Sequence, residues 1–196
     1  HLSIRRQRQM CIRDRGIREA TIVGEGIGLA MRGFRPIAEI QYLDYLMFAL
    51  QTLSDDLATV SYRSVGKQLA PLIVRTRGHR LEGMWHAGSP MGMILNSLKG
   101  MLVLTPRNMV QASGMYNTLM SCTDPALIIE PLNAYRLKEK EPLNLGEFTV
   151  PLGKIEIINP GTDITVVSYG STLKLVEKTI PELERNNINI ELIDCL

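Results

Sequence analysis

IREATIVGEGIGLAMRGFRP, residues 17–36, is the stretch from which the rest of the chain can be placed. Ile22, Val23, Ile27, Ala30 and Met31 recur at spacings near three and four, which predicts a helix, and Gly33 followed by Pro36 supplies its stop. Gly24, Gly26 and Gly28 fall inside that helix, each costing about 1 kcal/mol relative to alanine, so packing must offset about 3 kcal/mol. Close approach of another backbone is the expected source. The pattern G-x-G-x-G is not the G-x-G-x-x-G of a phosphate loop and no strand precedes it, so the glycines read as packing residues. Glu19 stands at the helix start. An acid there gains about 0.3–1 kcal/mol from the helix dipole, and burial against a neighbour would perturb its proton affinity.

Outward from this helix, short aliphatic runs alternate with helical periods. Residues 36–40, 72–74, 101–105 and 126–129 read as strands, and residues 45–59, 91–98 and 108–121 as helices. Continuous apolar strands alternating with helices predict an α/β fold, a parallel sheet with helices on both faces. Residues 131–161 hold four prolines and three glycines and read as a linker. Beyond it, a strand at 164–168, a helix at 172–185 and a strand at 190–193 begin a second βαβ unit.

Composition narrows the function classes. With 22 basic and 20 acidic side chains among 196 residues, the net charge of +2 gives no field for nucleic acid or a membrane surface. Mean hydropathy is near zero. No apolar run approaches the roughly 18 residues of a membrane span. Cys11, Cys122 and Cys195 match neither a zinc spacing nor a disulfide framework, so a reducing cytoplasm is expected. The arginine-rich residues 1–15 carry no apolar period; a basic transit peptide, a nucleic-acid arm and a non-native leader compete for them, and QMCIRDR, which looks like a translated sequencing adapter, sets them apart from the fold as a leader. At the other end the sequence stops inside a strand, as a fragment would.

TRGHRLEGMWHAGSP, residues 76–90, reads as a long loop, and loops of that length are commonly functional. His79, His86, Arg75, Arg77, Arg80 and Trp85 lie in or beside it. Guanidinium groups grip carboxylates and imidazole moves protons near neutral pH, so the loop suits an anionic substrate; the plain alternative is a solvated loop. Tyr42, Tyr45 and Phe48 have spacings compatible with ordinary core.

IREATIVGEGIGLAMRGFRPIAEIQYLDY, PLIVRTRGH, WHAGSP, TPRN, TDPALIIEP, VPLGK and DITVVSYGS, in this order, resemble the beta subunit of thiamine-diphosphate-dependent 2-oxoacid dehydrogenases, or the beta-like part of a fused alpha-beta chain. The resemblance implies a pyrimidine-binding domain over residues 16–140, a linker over 141–161, and the start of a transketolase-like C-terminal domain over 162–196. It puts the acid that hydrogen-bonds the aminopyrimidine ring of thiamine diphosphate on Glu19. The ring-stacking aromatic falls on Tyr45. The active-site histidine, which assists at the decarboxylated intermediate or in acyl transfer to a lipoyl group, falls on His86, although Ala87 and Gly88 stand where the family has Ser-Gln. Potassium, held by backbone carbonyls, is implied at Leu119, Cys122 and Asp124, with Cys122 replacing a common acid. The G-D-G…N block that holds magnesium and the diphosphate belongs to the alpha-like part. The implied partners are that part, the lipoyl domain of the acyltransferase component, a pyruvate or branched-chain 2-oxoacid substrate, and further copies in an oligomer. Two other readings are open at this point: transketolase or deoxyxylulose-phosphate synthase, which act on sugar phosphates, and a non-catalytic assembly module.

Overall fold

A computed structural model describes residues 16–81 and 83–195; the expectation for residues 1–15 lies outside them. The first helix, α1, spans Glu19–Met31. Gly33, at a φ of 88°, turns the chain back while its N–H and that of Phe34 bond the carbonyls of Ala30 and Leu29. Only glycine adopts this left-handed conformation without strain. After so tight a reversal, β1 (Ile37–Ile40) runs back along α1.

Residues 43–63 differ from the single helix expected over 45–59. Leu43–Ala49 is a 3-10 helix, Thr52–Leu57 a π turn, and Val60–Arg63 a single α turn, α2. Leu43, Leu46 and Ala49 are buried at intervals of three, and a 3-10 helix stacks that spacing in one line. The widened turn is closed by the Ala58 N–H on the Leu53 carbonyl, 2.9 Å.

Next come β2 (Ile73–Gly78), α3 (Met91–Ser97), β3 (Leu102–Leu104), α4 (Met109–Ser121) and β4 (Ala126–Pro131). The four strands form one parallel sheet in the order β1-β2-β4-β3. One face, with Ile40, Val74, Leu127 and Ile129, packs on Val23 and Ile27 of α1 and on the 3-10 helix. The other, with Ile73, Ala126 and Ile128, packs on Met115 and Leu119 of α4. Burial on both faces is why β4 reads as an unbroken aliphatic run: Ala126, Leu127, Ile128 and Ile129 are all fully buried, with each large side chain contributing about 1.5–3 kcal/mol.

A smaller sheet follows: β5 (Glu156–Asn159), β6 (Ile164–Ser168), α5 (Ser171–Arg185) and β7 (Ile190–Asp194), ordered β5-β7-β6. β5 lies within residues 141–161. So do Phe148 and Val150, which lie along α4: the Asn117 amide donates to the Phe148 carbonyl at 2.8 Å and the Thr118 hydroxyl to that of Val150 at 2.7 Å. Arg107 ties the sheets together, donating to Asp194 (2.7 Å) and to both carboxylate oxygens of Glu156 (2.7 and 3.0 Å), while Gln111 also donates to the fully buried Asp194 at 3.1 Å. Burial works against the Arg107 charge, but the two carboxylates outweigh it and raise its pKa.

Candidate functional site at the strand ends

Parallel sheets present ligands outside the carboxyl ends of their strands. At that edge, β1 leads into Tyr42, Asp44 and Tyr45, and β2 leads into residues 79–89. Because α1 runs opposite to β1 and packs on the 3-10 helix, Glu19 at its start belongs to the same edge. Glu19 is 9% exposed and has no hydrogen-bond or ionic partner among the described residues.

His86 is the centre of the best-defined cluster. Its Nδ1 lies 2.9 Å from Asp44 Oδ2. An ionised carboxylate only accepts, so Nδ1 carries the hydrogen and Nε2 is the nitrogen left to take or give a proton. The ring is stacked on Tyr42, with centroids 3.7 Å apart and planes within 4°. Tyr45 meets it edge-on at 5.6 Å, and the Arg77 guanidinium sits 5.1 Å over Tyr42 while Arg77 Nε donates to the Gln41 carbonyl. His86 adopts a left-handed φ of 55°. A Cβ at Gly88 would stand 3.0 Å from Asp44 Oδ1, so glycine at that position lets the loop approach the carboxylate. Sequence reasoning missed Asp44, a lone acid without a motif, and left Tyr42 as core.

The loop is shorter than expected and its cations are partly engaged. β2 continues through Gly78, which puts Arg75 and Arg77 on the strand rather than in the loop. Arg75 Nη2 is bonded to Glu130 at 2.8 Å and accepted by the Tyr135 hydroxyl at 3.1 Å, and Tyr116 donates to Glu130 at 2.6 Å. Tyr135 also donates to Glu130. Burial and then Glu130 push the Tyr116 phenol up, and the same causes push Tyr135 up to about 12. This network floors a cavity of about 870 Å³ between α4 and residues 132–145, away from Glu19, Tyr45 and His86. His79 is 3% exposed, bonded to Ser89 and stacked on Tyr169 of the second sheet's lobe.

Of the three helical glycines, only Gly26 meets a neighbour among the described residues, and it is a side chain rather than a backbone: a Cβ there would lie 2.8 Å from Leu72 Cδ1. Gly24 and Gly28 are exposed, with nothing among the described residues within 4 Å of such an atom. Leu119, Cys122 and Asp124 lie before β4, at the opposite edge of the sheet from His86. The Leu119 carbonyl accepts the Cys122 N–H, the Cys122 carbonyl accepts the Arg35 guanidinium, and Asp124 is exposed. A cation at these carbonyls would have to displace Arg35. Among the described residues no three His, Cys, Asp or Glu side chains gather as a metal site, and no helix is long and apolar enough to cross a membrane.

Comparison with known proteins adds the family context. The transketolase pyrimidine-binding domain matches residues 5–138, and the transketolase C-terminal domain matches residues 153–196. The sequence is 32% identical over 183 residues to the pyruvate dehydrogenase E1 component subunit beta of Acholeplasma laidlawii, covering 92% of this chain and 55% of that protein. It is 30% identical over 184 residues to the 2-oxoisovalerate dehydrogenase subunit beta of Bacillus subtilis, covering 93% and 56%. The chain thus spans about half the length of these relatives. Among solved structures, a split-gene transketolase described as an inactive beta4 tetramer has the same fold, with a TM-score of 0.73 at 17% identity, covering 91% of this chain and 54% of that one.

Proposed function

The chain belongs to the transketolase pyrimidine-binding domain family, and from that membership we propose that it is the beta-like part of the decarboxylating component of a 2-oxoacid dehydrogenase, acting on pyruvate or a branched-chain 2-oxoacid and passing the acyl group to a lipoyl domain. The observation that carries this reading is the histidine and acid pair of His86 and Asp44, set beside Tyr45 at the strand edge to which α1 brings Glu19.

Those residues fit thiamine diphosphate. Glu19 is mostly buried and its carboxyl group is bonded to no other described residue, so it can pair with an aminopyrimidine ring nitrogen. Glu19 would hold that nitrogen and fix its protonation, and Tyr45 would offer a ring to stack on. When bound, the cofactor supplies the electron sink for loss of carbon dioxide. Asp44 orients the His86 imidazole through Nδ1, leaving Nε2 to move a proton at the substrate-derived group. Arg77, seated over the Tyr42 ring beside His86, would supply positive charge for the substrate's carboxylate.

In this reading residues 16–140 form the pyrimidine-binding domain, 141–161 connect, and 162–196 open the C-terminal domain. An alpha-like part would contribute the diphosphate and magnesium sites, in an oligomer within the cytoplasm. Potassium at Leu119, Cys122 and Asp124 would require Arg35 to leave the Cys122 carbonyl. The test is turnover by the chain together with its alpha-like part. Release of carbon dioxide from pyruvate or 2-oxoisovalerate, dependent on added thiamine diphosphate, is expected; turnover of a phosphorylated ketose but of no 2-oxoacid would overturn the proposal.

A further inference from the structure

We propose that His79 is a positioning residue that couples the loop carrying His86 to the turn at Tyr169 and Gly170 in the second lobe, so that the placement of His86 depends on how the two lobes sit. The inference rests on His86 being the proton-moving residue of the reading above.

His79 follows the last residue of β2 and stands at a left-handed φ of 49°, a conformation that a non-glycine residue keeps only where its surroundings hold it. Three contacts hold it. Its Nδ1 pairs with Ser89 Oγ at 2.9 Å, so the two ends of the segment 79–89 are joined across the loop and His86 lies three residues from the joint. Its ring lies on Tyr169, with centroids 4.8 Å apart and planes 24° apart. At Gly170, which caps the start of α5 at a φ of 55°, an added Cβ would stand 2.8 Å from His79 Cδ2 and 2.7 Å from Thr105 Cγ2. The second lobe therefore approaches the imidazole as closely as glycine permits.

A space filler does not account for a histidine at this position. The ring is 3% exposed and its Nε2 lacks a hydrogen bond among the described residues, a penalty that an apolar side chain would avoid. What the imidazole has and an apolar ring lacks is the bond to Ser89 and a polar contact with the Tyr169 backbone carbonyl, one on each side of the joint. Burial holds His79 below the usual histidine range, against the Tyr169 backbone carbonyl, which keeps the ring neutral and leaves that bond a neutral one. A shift of the turn at Tyr169 and Gly170 moves the ring, the ring moves Ser89, and Ser89 carries the end of the loop that holds His86 against Asp44.

Trp85, the one tryptophan of the chain, adjoins His86 and reports on this loop without any turnover. Time-resolved anisotropy of its fluorescence in the full chain reads the loop's mobility. Ser89→Ala removes the bond at an exposed position where unfolding is not at issue, and should raise the amplitude of fast Trp85 motion about twofold with the melting temperature unchanged. Tyr169→Ala, in the other lobe, should do the same. His79→Asn, which tolerates a left-handed backbone and keeps a side-chain acceptor, should restore most of the order that His79→Ala loses. In the His79→Ala background, Tyr169→Ala should add nothing further, because the coupling has already been cut. Unchanged Trp85 motion in Ser89→Ala and Tyr169→Ala, or additive effects in the double variant, would overturn the inference. Since neither readout uses substrate, such a failure leaves the 2-oxoacid reading standing, and a failure of that reading leaves the loop measurements unaffected.

Discussion

Asp44 Oδ2 accepts from His86 Nδ1 at 2.9 Å across 42 residues of sequence, and this bond fixes the tautomer that leaves Nε2 as the nitrogen able to take a proton. Asp44→Asn keeps the shape but offers an amide, which can orient the ring in the wrong tautomer. In the assembled enzyme kcat should fall about 10- to 100-fold while KM changes little, as for other residues that orient a reacting histidine. Steady-state kinetics on the 2-oxoacid substrate check this.

Arg107 spans the two sheets on the carboxylates of Glu156 and the fully buried Asp194. Removing one partner of a buried ion pair leaves the other poorly compensated, so Arg107→Ala should cost about 3–5 kcal/mol, read as a lowered denaturant midpoint. Adding Asp194→Asn to that variant should recover part of the loss.

The glycines give opposite expectations. A Cβ at Gly78 would fall 2.4 Å from Leu43 Cβ, a contact that only a backbone shift can relieve, so Gly78→Ala should destabilise by about 1–3 kcal/mol. At Gly24 and Gly28 nothing stands in the way, and alanine should stabilise α1 by up to about 1 kcal/mol each. If α1 lies against the alpha-like part, those same two changes should weaken assembly, measurable by analytical ultracentrifugation.

How much of this was legible in the sequence follows from the physics of each element. The helix α1 was, because its apolar period and its Gly33 stop agree; so was β4, whose four consecutive aliphatic residues leave no other reading for a strand buried on both faces. Residues 43–57 were not, since apolar spacings of three and four suit an α-helix as well as the 3-10 and π turns found. β2 was cut short because charged residues at 75 and 77 resemble a loop; the strand continues because Glu130 on β4 neutralises Arg75. The candidate site was half legible. Glu19, Tyr45 and His86 came from ordered motifs, whereas Asp44, Tyr42 and the bond between His79 and Ser89 exist only through tertiary contact.

Burial, and after it Glu130, holds the phenols of Tyr116 and Tyr135 in their neutral form, Tyr135 up to about 12. A proton held more tightly in the folded state stabilises it fully below the ordinary tyrosine pKa of about 10 and is lost as pH rises toward the folded value. Stability should therefore decline between about pH 10 and 12, and Tyr135→Phe should flatten that decline. Melting temperatures across this range, with and without the substitution, measure it.

Glu19→Gln tests the central claim most directly. Glutamine keeps the size of the side chain and its hydrogen-bonding capacity but cannot exchange a proton with a pyrimidine nitrogen. Measured as 2-oxoacid decarboxylation by the chain assembled with its alpha-like part, the substitution should reduce kcat by about 10²-fold or more, with assembly and folding intact. Full activity in that variant would contradict the account, and so would loss of assembly in place of loss of chemistry.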